Sequence, residues 1–251
     1  MIRSTTKAIS LVKSLIFFLA IQTAAIYGLD FSTTPDITFS DTYGGSTALT
    51  GDINGDGMDD IVIINDNNYT YLYTNDGDGT FTMSSNWTGY SGWQGGLLAD
   101  FDNNGWLDLY MYGWYKNNII YYNYEGEFEG TPGWSVSGKE STDADASDFD
   151  NDGDIDLVVS NYGTYGIWIY MNDNGFGSSA NDTIFNTNNI VVGFGDLNGD
   201  GFDDLTVNNG SAKTYLGTEN GLATNTVYPI ASTGRTDDML FADMNNDDHL
   251  D

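Results

Sequence analysis

The sequence predicts an all-β chain, a β-propeller of four-stranded blades about 48 residues long, and three observations carry that prediction. One acidic loop is written five times, starting at Asp52, Asp100, Asp148, Asp196 and Asp243, at spacings of 48, 48, 48 and 47 residues. Apolar residues alternate after each of the first four loops as they do along a strand. The first three repeats then continue into Gly-containing turns of the hairpin kind, Asp-Gly in the first and Asn-Gly in the third. A fixed period of this length means one supersecondary unit per repeat.

In full the loops read DINGDGMDD, DFDNNGWLD, DFDNDGDID, DLNGDGFDD and DMNNDDHLD. Asp occupies positions 1 and 9, Asp or Asn occupies positions 3 and 5, and Gly occupies position 6 in four of the five. Two carboxylates about 4 Å apart at an effective dielectric near 20 repel by on the order of 4 kcal/mol, so a cation belongs among them. Oxygen ligands one residue apart around a tight turn suit Ca2+, which accepts roughly 6 to 8 oxygens in an adaptable shell, whereas Mg2+ holds to a stricter octahedron and keeps its waters. Four to five calcium sites are expected. The first takes the side chains of Asp52, Asn54, Asp56 and Asp60 with the Met58 carbonyl, and the second Asp100, Asp102, Asn104 and Asp108 with the Trp106 carbonyl. The third takes Asp148, Asp150, Asp152 and Asp156 with the Asp154 carbonyl, and the fourth Asp196, Asn198, Asp200 and Asp204 with the Phe202 carbonyl. In the fifth, Asp243, Asn245, Asp247 and Asp251 join the His249 carbonyl, but Asp248 replaces the turn glycine. Asp adopts a left-handed backbone less readily than Gly.

The residues after each loop exclude the EF-hand, which needs a bidentate Glu at position 12 and flanking helices. Position 12 here is Ile63, Met111, Val159 or Val207. Ile61 with Ile63, Leu109 with Met111, Leu157 with Val159 and Leu205 with Val207 are expected to point to one buried face of a strand. A dockerin-type loop fails for the same reason. The residue before each loop is small (Gly51, Ala99, Ser147, Gly195, Ala242), as expected where neighbouring backbones crowd on the innermost strands of a radial array. The remaining strands are expected over Tyr69 to Tyr73 with a turn at residues 75–79 before Phe81. In the second repeat they run over Ile119 to Tyr124 with Glu125-Gly126 before Phe128, and in the third over Ile167 to Met171 with Asn174-Gly175 before Phe176. Four short strands per period is the content of a propeller blade, whereas β-helix coils are much shorter and helical repeats need a 3.6-residue period that is absent.

On these residues the chain resembles the FG-GAP and VCBS repeat family, whose best-known member is the β-propeller of integrin α subunits. The resemblance covers roughly residues 38–251, and Phe194-Gly195 is the clearest remnant of the FG signature. It implies Ca2+ in the hairpin that joins the first two strands of a blade, and usually seven blades. On that basis residues 38–251 hold four full repeats and the start of a fifth, an incomplete fragment of a seven-bladed propeller, with a five-bladed ring as the alternative.

Arg3, Lys7 and Lys13 precede an apolar run from Leu15 to Ile26, with Thr23 and Ala25 offering a small-residue cleavage pattern. Residues 1–25 therefore read as a secretory signal peptide and 26–37 as an N-terminal segment, an uncleaved anchor being the alternative. The absence of cysteine removes disulfides, thiolate chemistry and zinc-thiolate sites. A net charge of −30 argues against nucleic acid and anionic membrane surfaces as partners, since phosphate binding needs clustered Lys and Arg. Beyond residue 25 only Lys116, Lys139, Lys213 and Arg235 are basic, while 16 of the acids are expected loop ligands.

No catalytic constellation is legible. The single histidine, His249, lies in the fifth loop, so no Ser/His/Asp triad, Cys/His pair or HExxH site can form, and no Walker or dinucleotide loop occurs. Carboxylate pairs can hydrolyse glycosides, but Asp is too abundant here for a pair to be informative. Strand connectivity places a set of aromatics opposite the acidic loops: Trp87, Tyr90, Trp93, Trp114, Tyr115, Trp134, Tyr162 and Tyr165. Such rings suit sugars, and equally suit wedging between blades. The expectation is a secreted, non-enzymatic, calcium-dependent module that binds an extracellular protein or glycan. An accessory domain of a secreted carbohydrate-active enzyme, with its catalytic part beyond residue 251, and an architectural matrix repeat are the alternatives.

Overall fold

The computed structural model describes residues 45–66, 69–88, 92–184, 191–208, 212–219, 221–223, 227–230, 239, 241–243 and 250; the expected signal peptide and N-terminal segment lie outside them. Among the described residues there is no helix, and so none long and apolar enough to cross a membrane. The first sheet orders β1 (Gly45–Gly51), β2 (Asp60–Asn65), β3 (Tyr69–Asn75) and β4 (Phe81–Thr88). The second contains β5 (Trp93–Ala99), β6 (Asp108–Gly113), β7 (Asn118–Tyr121) and β10 (Trp134–Val136), with β8 (Asn123–Tyr124) and β9 (Glu127–Phe128) forming a separate small hairpin. The third orders β11 (Ser141–Ser147), β12 (Asp156–Asn161), β13 (Ile167–Tyr170) and β14 (Asp182–Ile184), and the fourth β15 (Val191–Gly195), β16 (Asp204–Asn208), β17 (Ala212–Tyr215) and β18 (Val227–Ile230). All pairings are antiparallel.

Strands β1, β5, β11 and β15 touch in succession, so each sheet is a propeller blade standing on its first strand. The acidic loop joins that inner strand to the second one, and the closing pairs are Gly51↔Asp60, Ala99↔Asp108, Ser147↔Asp156 and Gly195↔Asp204. Two of the hairpins differ from expectation. Glu125-Gly126 turns the small β8–β9 hairpin, and the outer strand of blade two comes later, at Trp134. Asn174-Gly175 closes only an isolated bridge between Asn172 and Phe176, and the outer strand of blade three begins at Asp182. Turn chemistry marks where the chain reverses; it does not say which strand pairs next.

Blades two and three are buried on both faces by their neighbours. Leu109 and Met111 of β6 pack against Val62 and Ile64 of blade one, while Tyr110, Tyr112 and Ile120 pack against Leu157, Val159 and Tyr170 of blade three. Val158, Ile167 and Ile169 in turn meet Val192, Phe194, Leu205 and Val207 of blade four. In blades two to four the residues expected on one buried face therefore point toward the preceding blade. In blade one that face is half-buried at Ile61 and Ile63, and Val62 and Ile64, which face blade two, are the buried pair.

The small residue before each loop has a specific cause, which corrects the expectation of crowding by backbone. A Cβ on Gly51 would lie 2.7 Å from Cδ1 of Leu107, and one on Gly195 would lie 2.9 Å from Cδ1 of Leu250. Leu107 and Leu250 each hold position 8 of the next repeat's loop. At the joint between blades three and four the same contact is polar, with the Ser147 hydroxyl donating to the Asp203 carboxylate. Phe241 also lies against Gly193 and Gly195, so the start of the fifth repeat docks on blade four as the earlier ones dock on each other. Gly51→Val is expected to cost about 1–3 kcal/mol by overpacking, read as a shift in the urea midpoint, and adding Leu107→Ala is expected to recover part of that loss.

Candidate metal centres

The four described loops are built by one scheme of short-range hydrogen bonds. Asp52, Asp100 and Asp196 at position 1 each accept the N–H of the position 6 glycine at 2.9 Å. The side chain at position 3 accepts the position 5 N–H at 2.8–3.2 Å, and the side chain at position 5 accepts the position 7 N–H at 2.8–2.9 Å. These Asx turns wind the backbone so that consecutive oxygens face one centre. The winding needs a left-handed residue at position 6, where Gly57, Gly105, Gly153 and Gly201 have φ of 86°, 92°, 102° and 94°. Position 4 is left-handed as well, at Gly55, Asn103, Asn151 and Gly199. That requirement was missed in the sequence, although the signal was present: every copy has Gly or Asn there.

Position 9 is the deepest part of the site. Asp60, Asp108, Asp156 and Asp204 are at most 1% exposed. One oxygen of each accepts the N–H of loop position 2 (Ile53, Phe101, Phe149, Leu197) at 2.8–3.1 Å. The other accepts an N–H from the turn after the blade's third strand, at Asn75, Asn123, Asn172 or Gly217, at 2.8–2.9 Å. Position 2 is itself an anchor: Ile53, Phe101 and Phe149 are no more than 2% exposed, and Phe149 stacks on Phe194 at 5.1 Å.

In loop two, oxygens of Asp100, Asp102 and Asp108 lie within 4.8 Å of one another, as do those of Asp148, Asp150 and Asp152 in loop three. In loops one and four, Asn54 and Asn198 take one carboxylate's place. The fifth set is only partly visible: Asp243 is half-buried, and Asn245, Asp247, His249 and Asp251 lie outside the described residues. The residues present fit a hard cation. Oδ1 of Asp52 and Oδ1 of Asp148 are buried without any hydrogen-bond partner, a state that costs free energy unless another group supplies the missing partner. No Lys or Arg stands in any of these loops to supply one. Burial raises the Asp108 and Asp156 carboxyls to about 7 against several backbone N–H bonds, with like charge from Asp102 and Asp100 or from Asp150 and Asp152 adding to it. Burial likewise raises Asp60, Asp100, Asp148, Asp150 and Asp204.

The loops are also tied to one another. The Asn103 amide donates to the Gly153 carbonyl and the Asp154 carboxylate of the next loop, and the Asn151 amide donates to the Gly201 carbonyl at 3.0 Å. The Asn123 amide donates to the position 8 carbonyl of its own loop, Leu107, and to the Ile53 carbonyl of blade one. The Asn172 amide bonds Ile155 and the Phe101 carbonyl of blade two in the same way. These asparagines were not singled out in the sequence; their recurrence 15 or 16 residues after the position 9 aspartate was the available signal. Asn172→Ala leaves two buried carbonyls short of a donor and is expected to cost about 1–3 kcal/mol in chemical denaturation without lowering the number of calcium ions bound. Asp108 and Asp156 hold their protons more tightly folded than unfolded, so in chelator-treated protein stability is expected to fall as pH rises from the ordinary carboxylate value of 3.8 to about 7. Melting curves across that range should show the trend, and calcium, which holds the carboxylates ionised, should remove it.

A family model described as an FG-GAP-like repeat matches residues 52–111, 100–159 and 148–207, each match beginning on an acidic loop. No curated protein matches the chain. Among solved structures, BBS1N in complex with ARL6DN is similar at a TM-score of 0.55 and 14% identity, over 76% of this chain and 58% of that one. A lectin of Agrocybe aegerita, solved for its recognition of non-reducing terminal N-acetylglucosamine, is similar at a TM-score of 0.51 and 18% identity, over 72% of this chain and 50% of that one. At these identities the likeness concerns the fold, and the chain spans 58% of the length of the first structure and 50% of the second. Family matches tiling residues 52–207, and blades whose first hairpins carry the repeated loops, place this chain in the FG-GAP-like repeat family.

Proposed function

We propose that this chain is a calcium-binding, non-enzymatic module of an extracellular binding or adhesion protein. The observation that carries the reading is the construction of the loops: oxygens wound toward one centre by Asx turns, with buried carboxylate oxygens left without a donor at Asp52 and Asp148. Calcium's part would be structural. It would neutralise the hairpin that joins the inner two strands of each blade and supply the cross-link that a cysteine-free secreted domain otherwise lacks. The extracellular setting is supported by the N-terminal apolar run, and the non-enzymatic reading by the absence of any nucleophile–histidine pairing in the sequence. The binding role is supported by the family and by the lectin among the structural relatives, a protein described as recognising a terminal sugar.

Extracellular calcium sites have dissociation constants of roughly 0.1–1 mM, and at tenfold excess each independent site adds about 1.4 kcal/mol. Calorimetric titration of chelator-stripped protein is expected to show at least four equivalents, with a large rise in melting temperature. Asp148→Ala, in the loop with most carboxylates, is expected to remove one equivalent and leave the others. Absence of both binding and stabilisation would reduce the loops to acidic turns and end this reading.

A further inference from the structure

A second site lies away from the calcium loops. A groove of about 520 Å3 opens between the outer strand of blade two and the outer strands of blade three, within the roughly 300–1,000 Å3 range of small-molecule sites. Tyr165, 42% exposed, and half-buried Trp168 supply flat apolar surface, and the indole N–H of Trp168 is held by the Tyr165 carbonyl at 3.0 Å. Ser137, Thr164, Ser178 and Thr183 add hydroxyls. Tyr170 also forms part of the lining; it is fully buried, edge-on to Trp134 and Trp168, and its hydroxyl has no hydrogen-bond partner.

The charge of the groove is opposite to that of the chain. In a protein of net charge −30 its one charged lining residue is Lys139, whose Nζ sits 5.6 Å from the Tyr165 ring centroid. The neighbouring Glu140 is engaged elsewhere, by the Tyr115 side chain. Next to the groove, Trp114 of blade two stacks on Tyr162 of blade three at 5.8 Å, both partly exposed, so the aromatic surface continues across the joint between the blades. Of the aromatics expected opposite the loops, Trp93 and Trp134 are buried in the core between blades, and Tyr90 lies outside the described residues. Trp87 lies on β4. Among the described residues of that set, the exposed rings are Trp114, Tyr115, Tyr162 and Tyr165.

We propose that this groove binds a saccharide carrying a carboxylate, with a sugar ring on Tyr165 and Trp168 and the carboxylate on Lys139. Hydroxyl-lined concave surface with aromatic floor suits a polyhydroxylated ring, and a lone lysine suits one negative charge. Repulsion from the chain's other acids is screened beyond about 8 Å at physiological ionic strength. The proposal rests on the reading of the chain as an extracellular binding module and names the ligand class for it.

The test is calorimetry and saturation-transfer NMR on the calcium-loaded full chain with digalacturonate, using digalactose and triglutamate as comparison probes. Digalacturonate is expected to bind about tenfold or more tightly than digalactose, the contribution of one charge-assisted hydrogen bond. Lys139→Met is expected to erase that difference, and Tyr165→Ala to abolish binding of both sugars without altering the calcium-dependent melting shift. Failure of digalacturonate to bind overturns the proposal, as does equal binding to wild type and Lys139→Met, or equal binding of triglutamate. A normal calcium-dependent melting shift in any of these cases removes the groove alone; loss of that shift in the wild type removes the calcium-module reading itself.

Discussion

The position 9 carboxylate is the constraint from which the rest of each repeat is built. It closes the first hairpin of the blade opposite the last residue of the inner strand, and it is buried there with both oxygens receiving backbone N–H groups. One of these comes from loop position 2, whose apolar side chain is driven into the space between blades; the other comes from the far end of the third strand. A single side chain thus fixes the loop, the core anchor and the sheet relative to each other. A cation would act on that same group from the solvent side, which links occupancy of the loop to order in the sheet beneath it.

Beyond the blade, cohesion is nearest-neighbour. Each apolar face meets only the blade beside it, and the asparagine amides reach one repeat back, from Asn123 and Asn172, or one repeat forward, from Asn103 and Asn151. Stability in such an array approximates a sum of repeat and interface terms. The inner edge is treated similarly: Asp143 and Asp145 of β11 accept the N–H groups of Val192 and Phe194 on β15 at 2.9 and 2.7 Å. Carboxylates here occupy hydrogen-bonding groups that an open strand edge would otherwise present.

Much of this was legible in the sequence because metal ligation restricts residue type at fixed intervals. Position 6 glycine, the strand after the loop and the 48-residue period all followed from Asp52, Asp100, Asp148 and Asp196 alone. What escaped depends on which repeats adjoin. Gly51 is small because of Leu107, more than fifty residues on, and nothing local announces that pairing. Ile61 and Leu109 hold equivalent positions yet differ in burial, Ile61 being half-buried while Leu109 is packed against Val62 and Ile64 of the blade before it. The Glu125-Gly126 turn was read correctly as a reversal and wrongly as the entry to the outer strand, since two short hairpins in series look the same in sequence as one.

The polar contact between Ser147 and Asp203 gives one joint a different key from its neighbours. Where blade two meets blade one, the matching position is glycine against leucine, and at the fourth joint it is again glycine against leucine. If blade four were to dock on blade two, the Asp203 carboxylate would be buried against Ala99 with no hydroxyl to receive it, at the cost of an unpaired charge. Repeats that share a backbone and an apolar pattern are otherwise free to stack out of turn while the chain collapses. A single serine–aspartate pair therefore makes the joint between blades three and four selective for polarity where the glycine–leucine joints select only for size.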